Sequence, residues 1–234
     1  TAGEELKQFI DTTYFPGRFN VNGIYDSQSS NHRSDFIGAL NAGTHLINHC
    51  DHSNTTSMGV GDINHGWAIG NSTVDGLTND NELSVIFSLG CHPNEMDYND
   101  CIAEHFVIYN DLQGAVAFTG NTRSGWFYVG DPFSLSSELD YKWWEGLFDN
   151  NLYHAAAPLT YAKNNCPSSG EYWRYCAWTL NLLGEPELPI WTDLPNTLIA
   201  NFDATITALP YDFTVTVTRT HGQPIPDAYV CVWA

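Results

Sequence analysis

Leu83 to Cys91 reads LSVIFSLGC. Seven uncharged residues, rich in β-branched and aromatic side chains, form a run of strand length with no polar alternation. A strand that hides both faces belongs to a sheet covered on both sides, typically a parallel one. The run stops at Gly90-Cys91. Two more segments share its character: Leu46-Ile47 within THLINHCDHSN (Thr44–Asn54), and GAVAFT (Gly114–Thr119), which ends at Gly120-Asn121. Helical spacing lies between and beyond them. DFIGALNA (Asp35–Ala42) ends at a C-cap glycine, Gly43. Cys101–Tyr109, Glu138–Phe148 and Tyr153–Lys163 also read as helices, and Cys176–Leu183 as an apolar run closed by GEPELPIW. Gly59 to Asn81, rich in Gly, Asn, Asp and Ser, reads as one long loop. Strands alternating with helices predict an α/β fold, a mostly parallel sheet with helices on both faces.

From Pro195 the pattern changes. LIANFDATITAL and FTVTVTRT alternate with period two, predicting a small antiparallel unit of about three strands, a partial β-sandwich. The expected division is 1–193 and 194–234.

Eight Lys+Arg against 27 Asp+Glu give a net charge of −19. Such a surface repels nucleic acid and anionic membranes, which excludes both as partners. No apolar run reaches the roughly 18 residues of a membrane span, and no signal peptide is visible. The abrupt start at Thr1 and the stop straight after a strand-like run suggest a processed or partial chain. Six cysteines are many for a cytosolic domain. Cys166 and Cys176 flank the polar loop CPSSGEYWRYC and suggest a local disulfide, hence an oxidising compartment and a secreted or cell-surface protein.

Ligands of open parallel sheets sit beyond the carboxyl ends of the strands. His49, Cys50, Asp51, His52 and Ser53 follow one such end, and Cys91 another. A thiol nucleophile requires an imidazole partner and backbone N–H groups aimed at the developing oxyanion. Cys91, with His52 as partner and the N–H groups of Ser53 and Cys91 as donors, meets that requirement. Other readings stand beside it. Cys91 could be a buried small hydrophobe, or half of a disulfide with Cys101. His49, Cys50, His52 and His92 could bind zinc, although no C-x2-C or H-E-x-x-H spacing supports this. His65 and His105 are most simply structural.

Five segments occur in order: FNVNGIYDSQSSNHRSDFIGALNAGTHLINHCDHSN, LTNDNELSVIFSLGC, DCIAEHFV, GAVAFTGNTRSGW and YWRYCAWTLNLLGEPELPIW. Together, from about Phe19 to Trp191, they resemble the catalytic domain of the gingipain-type cysteine peptidases, peptidase family C25, of the clan that holds caspases and legumain. The resemblance implies a caspase-like catalytic domain over 1–193, short of its N-terminal part, and an incomplete immunoglobulin-like domain over 194–234. It implies His52 and Cys91 as catalytic residues, the backbone of Ser53 and Cys91 as the oxyanion hole, and Trp126 as a wall of the substrate pocket. The acid that orients the histidine would fall at or before Glu4 and Glu5. Catalysis would require no cofactor. Structural Ca2+ would accompany the family, in the Asp97–Asp100 loop or near Asp62, with no ligands assigned. Asp131 is a candidate acid for a basic substrate side chain.

Two departures stand out. The family's Gly-His-Gly is Asp51-His52-Ser53 here, and its Ala before the cysteine is Gly90. Two functions therefore compete: an extracellular cysteine endopeptidase acting on protein or peptide substrates, and a catalytically inactive module of a cell-surface or extracellular assembly.

Overall fold

The computed structural model describes residues 2–61, 68–98, 100–109, 112–167, 169–195, 197–205, 212–226 and 228–231. The chain forms two compact units, Thr1–Thr192 and Asp193–Ala234.

In order, the first unit runs α1 (Ala2–Tyr14), α2 (His32–Asn41), β1 (Leu46–His49), β2 (Ser53–Asn54), β3 (Ser57–Gly59), β4 (Ala68–Gly70), α3 (Asn71–Val74) and β5 (Ser84–Ser88). It continues with α4 (Ile102–Val107), β6 (Ala115–Asn121), α5 (Ser136–Phe148), α6 (Ala156–Asn165), α7 (Glu171–Thr179) and β7 (Leu180–Gly184). The main sheet has the order β1-β5-β6-β7. β1, β5 and β6 run parallel, and β7 closes the far edge antiparallel to β6.

All five residues of β5 are buried, as an uninterrupted apolar run demands. Val85 and Phe87 pack with α1, α5, α6 and β7 around Trp143 and Trp144. Ile86, between them, faces the opposite cluster, with Ile47, Phe118 and residues of α2, α3 and α4. The period-two alternation of a strand thus feeds two hydrophobic layers from one segment. The expected parallel sheet with helices on both faces is present.

Two expectations need correction. Gly59–Asn81 is not one loop: it holds the end of β3, then β4, and the one-turn helix α3. β3 pairs antiparallel with β2 and β4, strands too short to leave a periodic signature. The Cys176–Leu183 run is likewise two elements, because α7 hands over to β7 at Leu180. α1 carries no counterpart in the sequence reading. Its Leu6 and Ile10 lie one turn apart and are fully buried, with Glu4 and Glu5 in the first turn, where carboxylates suit the helix dipole.

In the second unit β8 (Leu198–Asn201) and β9 (Thr216–Arg219) form a two-stranded antiparallel ribbon. Part of the expected three-stranded unit lies outside the described residues.

Candidate active site at the sheet rim

β1 and β5 are adjacent and parallel, with His49 opposite Ser88. The pairing extends one step further, since the Leu89 N–H donates to the His49 carbonyl at 3.0 Å. Both chains then turn at the same rim. The first enters the β2–β3 hairpin, where the Gly59 N–H donates to the His52 carbonyl at 2.7 Å. The second turns through Gly90 and Cys91. The two turns touch: the Ser53 hydroxyl donates to the Cys91 carbonyl at 2.8 Å. His52 and Cys91 line one cleft of about 670 Å3, together with Leu89, Gly90, Gly125 and Trp126.

The sulfur-bearing turn is tightly held. Buried Asn121 donates through Nδ2 to the carbonyls of Leu89 and Gly90, both at 3.0 Å. A Cβ on Gly125 would lie 2.5 Å from the Leu89 carbonyl oxygen, so only glycine permits that approach. His92 has φ +64°, a left-handed backbone that costs a non-glycine residue energy. Its neighbours fix it there. Its N–H donates to the Arg123 carbonyl at 3.0 Å, and its ring meets Glu95 at 2.9 Å and the Ser124 hydroxyl at 3.3 Å. Arg123 in turn holds Asp97 through both guanidinium NH2 groups. Cys91 is half-buried, with Sγ 3.8 Å from the Gly125 carbonyl. Among the described residues its N–H donates to no protein acceptor.

The imidazole-bearing turn is built differently. His52 is exposed. Asp51 does not simply hang beside it: one carboxylate oxygen accepts from the His52 N–H at 2.6 Å and the other from the Gly61 N–H at 2.9 Å. The carboxylate therefore braces the hairpin backbone. Ser53 and Gly90 are complementary: a Cβ on residue 90 would lie 1.9 Å from the Ser53 hydroxyl oxygen. The serine side chain fills the space that a side chain at 90 would need.

The zinc reading fails on partners. Both ring nitrogens of His49 are engaged, Nδ1 with the Ser88 hydroxyl at 2.9 Å and Nε2 with the Gly59 carbonyl at 2.6 Å, and both of His92 are engaged as above. Among the described residues no group of three or more His, Cys, Asp or Glu could hold a metal. In the loop where calcium is expected, Asp97 pairs with Arg123 and Asp100 accepts from the Tyr109 hydroxyl. Asp62 and His65 lie outside the described residues. His105 is structural: its Nδ1 meets Asp75 at 2.6 Å and its ring stacks on Tyr109.

All six cysteines are thiols in this structure. Cys166 and Cys176 share one core cluster without forming the bridge expected from their spacing, and burial pushes the Cys166 thiol up to about 12. Cys101 is buried at the start of α4, not bonded to Cys91, and burial raises it to about 12. Burial also raises the Cys50 thiol, which faces Gly3, although the residue as a whole is exposed.

Glu4 lines the cleft, whereas Glu5 is exposed on α1 and does not. Trp126 is 44% exposed and packs against Tyr172 and Tyr175. Asp131 accepts from the Phe133 N–H within its own loop and is not part of the cleft wall. The sequence reading missed Lys7, which lines the cleft and pairs with fully buried Asp140 and with Asn48. A lysine in an unrecognised helix carried no signal.

The family model of peptidase family C25 matches residues 2–191. The chain belongs to peptidase family C25. Solved structures agree on the fold. The Arg-specific cysteine proteinase gingipain R (RgpB) superposes with a TM-score of 0.63 at 21% identity, over 81% of this chain and 43% of that one. The complex of Porphyromonas gingivalis RgpB pro- and mature domains gives 0.65 at 20% identity, over 92% and 49%. A third structure, described as a protease, gives 0.59 at 15% identity, over 81% and 45%. The C25 chain thus spans less than half the length of each. Among curated protein sequences none matches it. No helix among the described residues is long and apolar enough to cross a membrane.

Proposed function

We propose that this C25 chain carries the reaction centre of a secreted or cell-surface cysteine endopeptidase, with Cys91 as nucleophile and His52 as its proton partner. The observation that carries this reading is the direct joining of the two rim turns at one cleft, through the Ser53–Cys91 hydrogen bond. Cys91 Sγ, as thiolate, attacks the carbonyl carbon of the scissile bond. The resulting oxyanion takes hydrogen bonds from the N–H groups of Ser53 and Cys91. His52 protonates the leaving amine, the C–N bond breaks, and a thioester with Cys91 remains. Water, giving its proton to His52, attacks the thioester and releases the acid and the thiol.

Protein or peptide chains fit the cleft as substrates, with Trp126 as one wall. Glu4, Asp11, Asp26 and Asp51 line it, while the lining cation Lys7 is already paired with Asp140. A cationic side chain therefore suits it better than an anionic one. Gingipain R is described as Arg-specific, which agrees in sign. The test is cleavage of an unstructured protein, with new termini read by mass spectrometry. The wild type produces them and Cys91→Ala does not. Equal cleavage by both contradicts the assignment of Cys91. No cleavage by either supports the second reading, an inactive assembly module, which the exposed His52 and the added side chain of Ser53 would accommodate.

A further inference from the structure

His49 lies beneath both halves of the site, and its contacts have a direction. Its Nε2 faces a carbonyl oxygen, Gly59 O at 2.6 Å, which only accepts. Nε2 therefore carries the proton, and Nδ1, with a free lone pair, accepts from the Ser88 hydroxyl at 2.9 Å. The Ser88 oxygen in turn accepts from the Gly90 N–H at 3.3 Å. At the other end, the Gly59 N–H donates to the His52 carbonyl at 2.7 Å. The Gly90 N–H, the Ser88 hydroxyl, the His49 ring and the Gly59 carbonyl form one hydrogen-bonded run, and the Gly59 N–H, in the preceding peptide unit on the other side of its Cα, holds the His52 carbonyl. Gly59 thus joins the residue with the imidazole to a run that ends at the residue before the sulfur. His49 is 6% exposed and Ser88 fully buried, so water does not substitute for either.

We infer that His49 is a positioning residue, whose ring ties the hairpin of His52 to the turn of Cys91 and so sets the spacing of the two reacting groups. This rests on the peptidase reading for its catalytic consequence, though not for its geometry. Nothing in the covalent chemistry requires His49. Its effect reaches the reaction through the backbone, where a displacement of about 1 Å can cost up to about a hundredfold in rate. The run is polarised from the Gly90 amide to the Gly59 carbonyl, so its bonds strengthen one another, and the Gly59 backbone carries the constraint on to the His52 carbonyl.

The test uses three readouts on the whole chain. First, 15N spectra of the wild-type imidazoles show His49 protonated at Nε2; protonation at Nδ1 instead overturns the inference. Second, amide exchange in Ser88→Ala accelerates at Gly90 and also at Gly59, which belongs to a different strand pair. Acceleration at Gly90 alone means a local contact and overturns the relay. Third, inactivation by a thiol-reactive peptide probe slows about tenfold in Ser88→Ala at saturating probe, with half-saturation within about twofold of the wild type, and Ser88→Thr regains most of the rate. An unchanged rate in Ser88→Ala overturns the positioning role while leaving the peptidase reading intact. If the wild type is not labelled, the peptidase reading fails, and the tautomer and exchange results decide the relay by themselves. If Ser88→Ala does not fold, the wild-type tautomer decides, with His49→Gln as the second variant for exchange at Gly59 and Gly90.

Discussion

The two turns that meet at the rim are made in opposite ways. The sulfur-bearing turn leaves β5, a strand buried at every position, and is enclosed by Asn121, Gly125 and the His92–Glu95–Arg123 cluster. The imidazole-bearing turn enters a hairpin of two- and three-residue strands and is held by individual side chains: Asp51 on backbone N–H groups, His49 on the Gly59 carbonyl, Ser53 on the Cys91 carbonyl. One arm follows a fully buried strand and is enclosed by several other segments, whereas the other is a short hairpin held by three side chains. The arms touch at Ser53 and at the Gly90–Cys91 turn.

This contrast can be broken first at the enclosed arm. Asn121→Ala strips the buried donor from two carbonyls at once. An unsatisfied buried polar group costs about 1–3 kcal/mol, so a loss of about 4 kcal/mol is expected in urea unfolding. A loss below about 1 kcal/mol would mean that the turn stands by packing alone.

The hairpin arm responds to pH through His49 beneath it. Burial lowers the His49 imidazole from 6.5 to about 4. Below its ordinary value the unfolded chain binds this proton and the folded chain does not, so stability rises with pH across that window. The contribution is fully present above pH 6.5 and is lost as pH falls toward 4, about 3 kcal/mol in all. His49→Gln has no such proton to take up, so its stability falls less between pH 7 and 4 than that of the wild type. Parallel losses in both proteins would contradict the buried, neutral ring.

The contact between the arms is sharpened by a double variant. Gly90→Ala drives a Cβ into the Ser53 hydroxyl and is expected to cost about 2 kcal/mol. Ser53→Gly vacates that volume, and in the pair roughly half of the loss returns as a coupling energy of about 1 kcal/mol. Strict additivity would show that positions 53 and 90 are independent.

The same contrast governs what the sequence discloses. β5 and β6 are legible because burial on both faces leaves a continuous apolar run, and their ends locate Cys91. The parallel arrangement then puts His52 and Cys91 at a common rim. The hairpin was hidden because its strands are shorter than the period that would reveal them. α1 was hidden because its buried face is two residues, Leu6 and Ile10, amid polar neighbours. His49 read as a possible zinc ligand, since nothing local shows that both nitrogens are occupied from other strands. The complementarity of Ser53 and Gly90 is a contact across 37 positions of sequence, visible only once the chain is folded.

Labelling with a thiol-reactive peptide probe tests the joint action of the two arms most directly. The account predicts rapid modification of the wild type at Cys91, loss of that modification in Cys91→Ala, and a rate lowered by about a hundredfold or more in His52→Ala. Equal labelling of the wild type and Cys91→Ala, or a rate indifferent to His52, would contradict it.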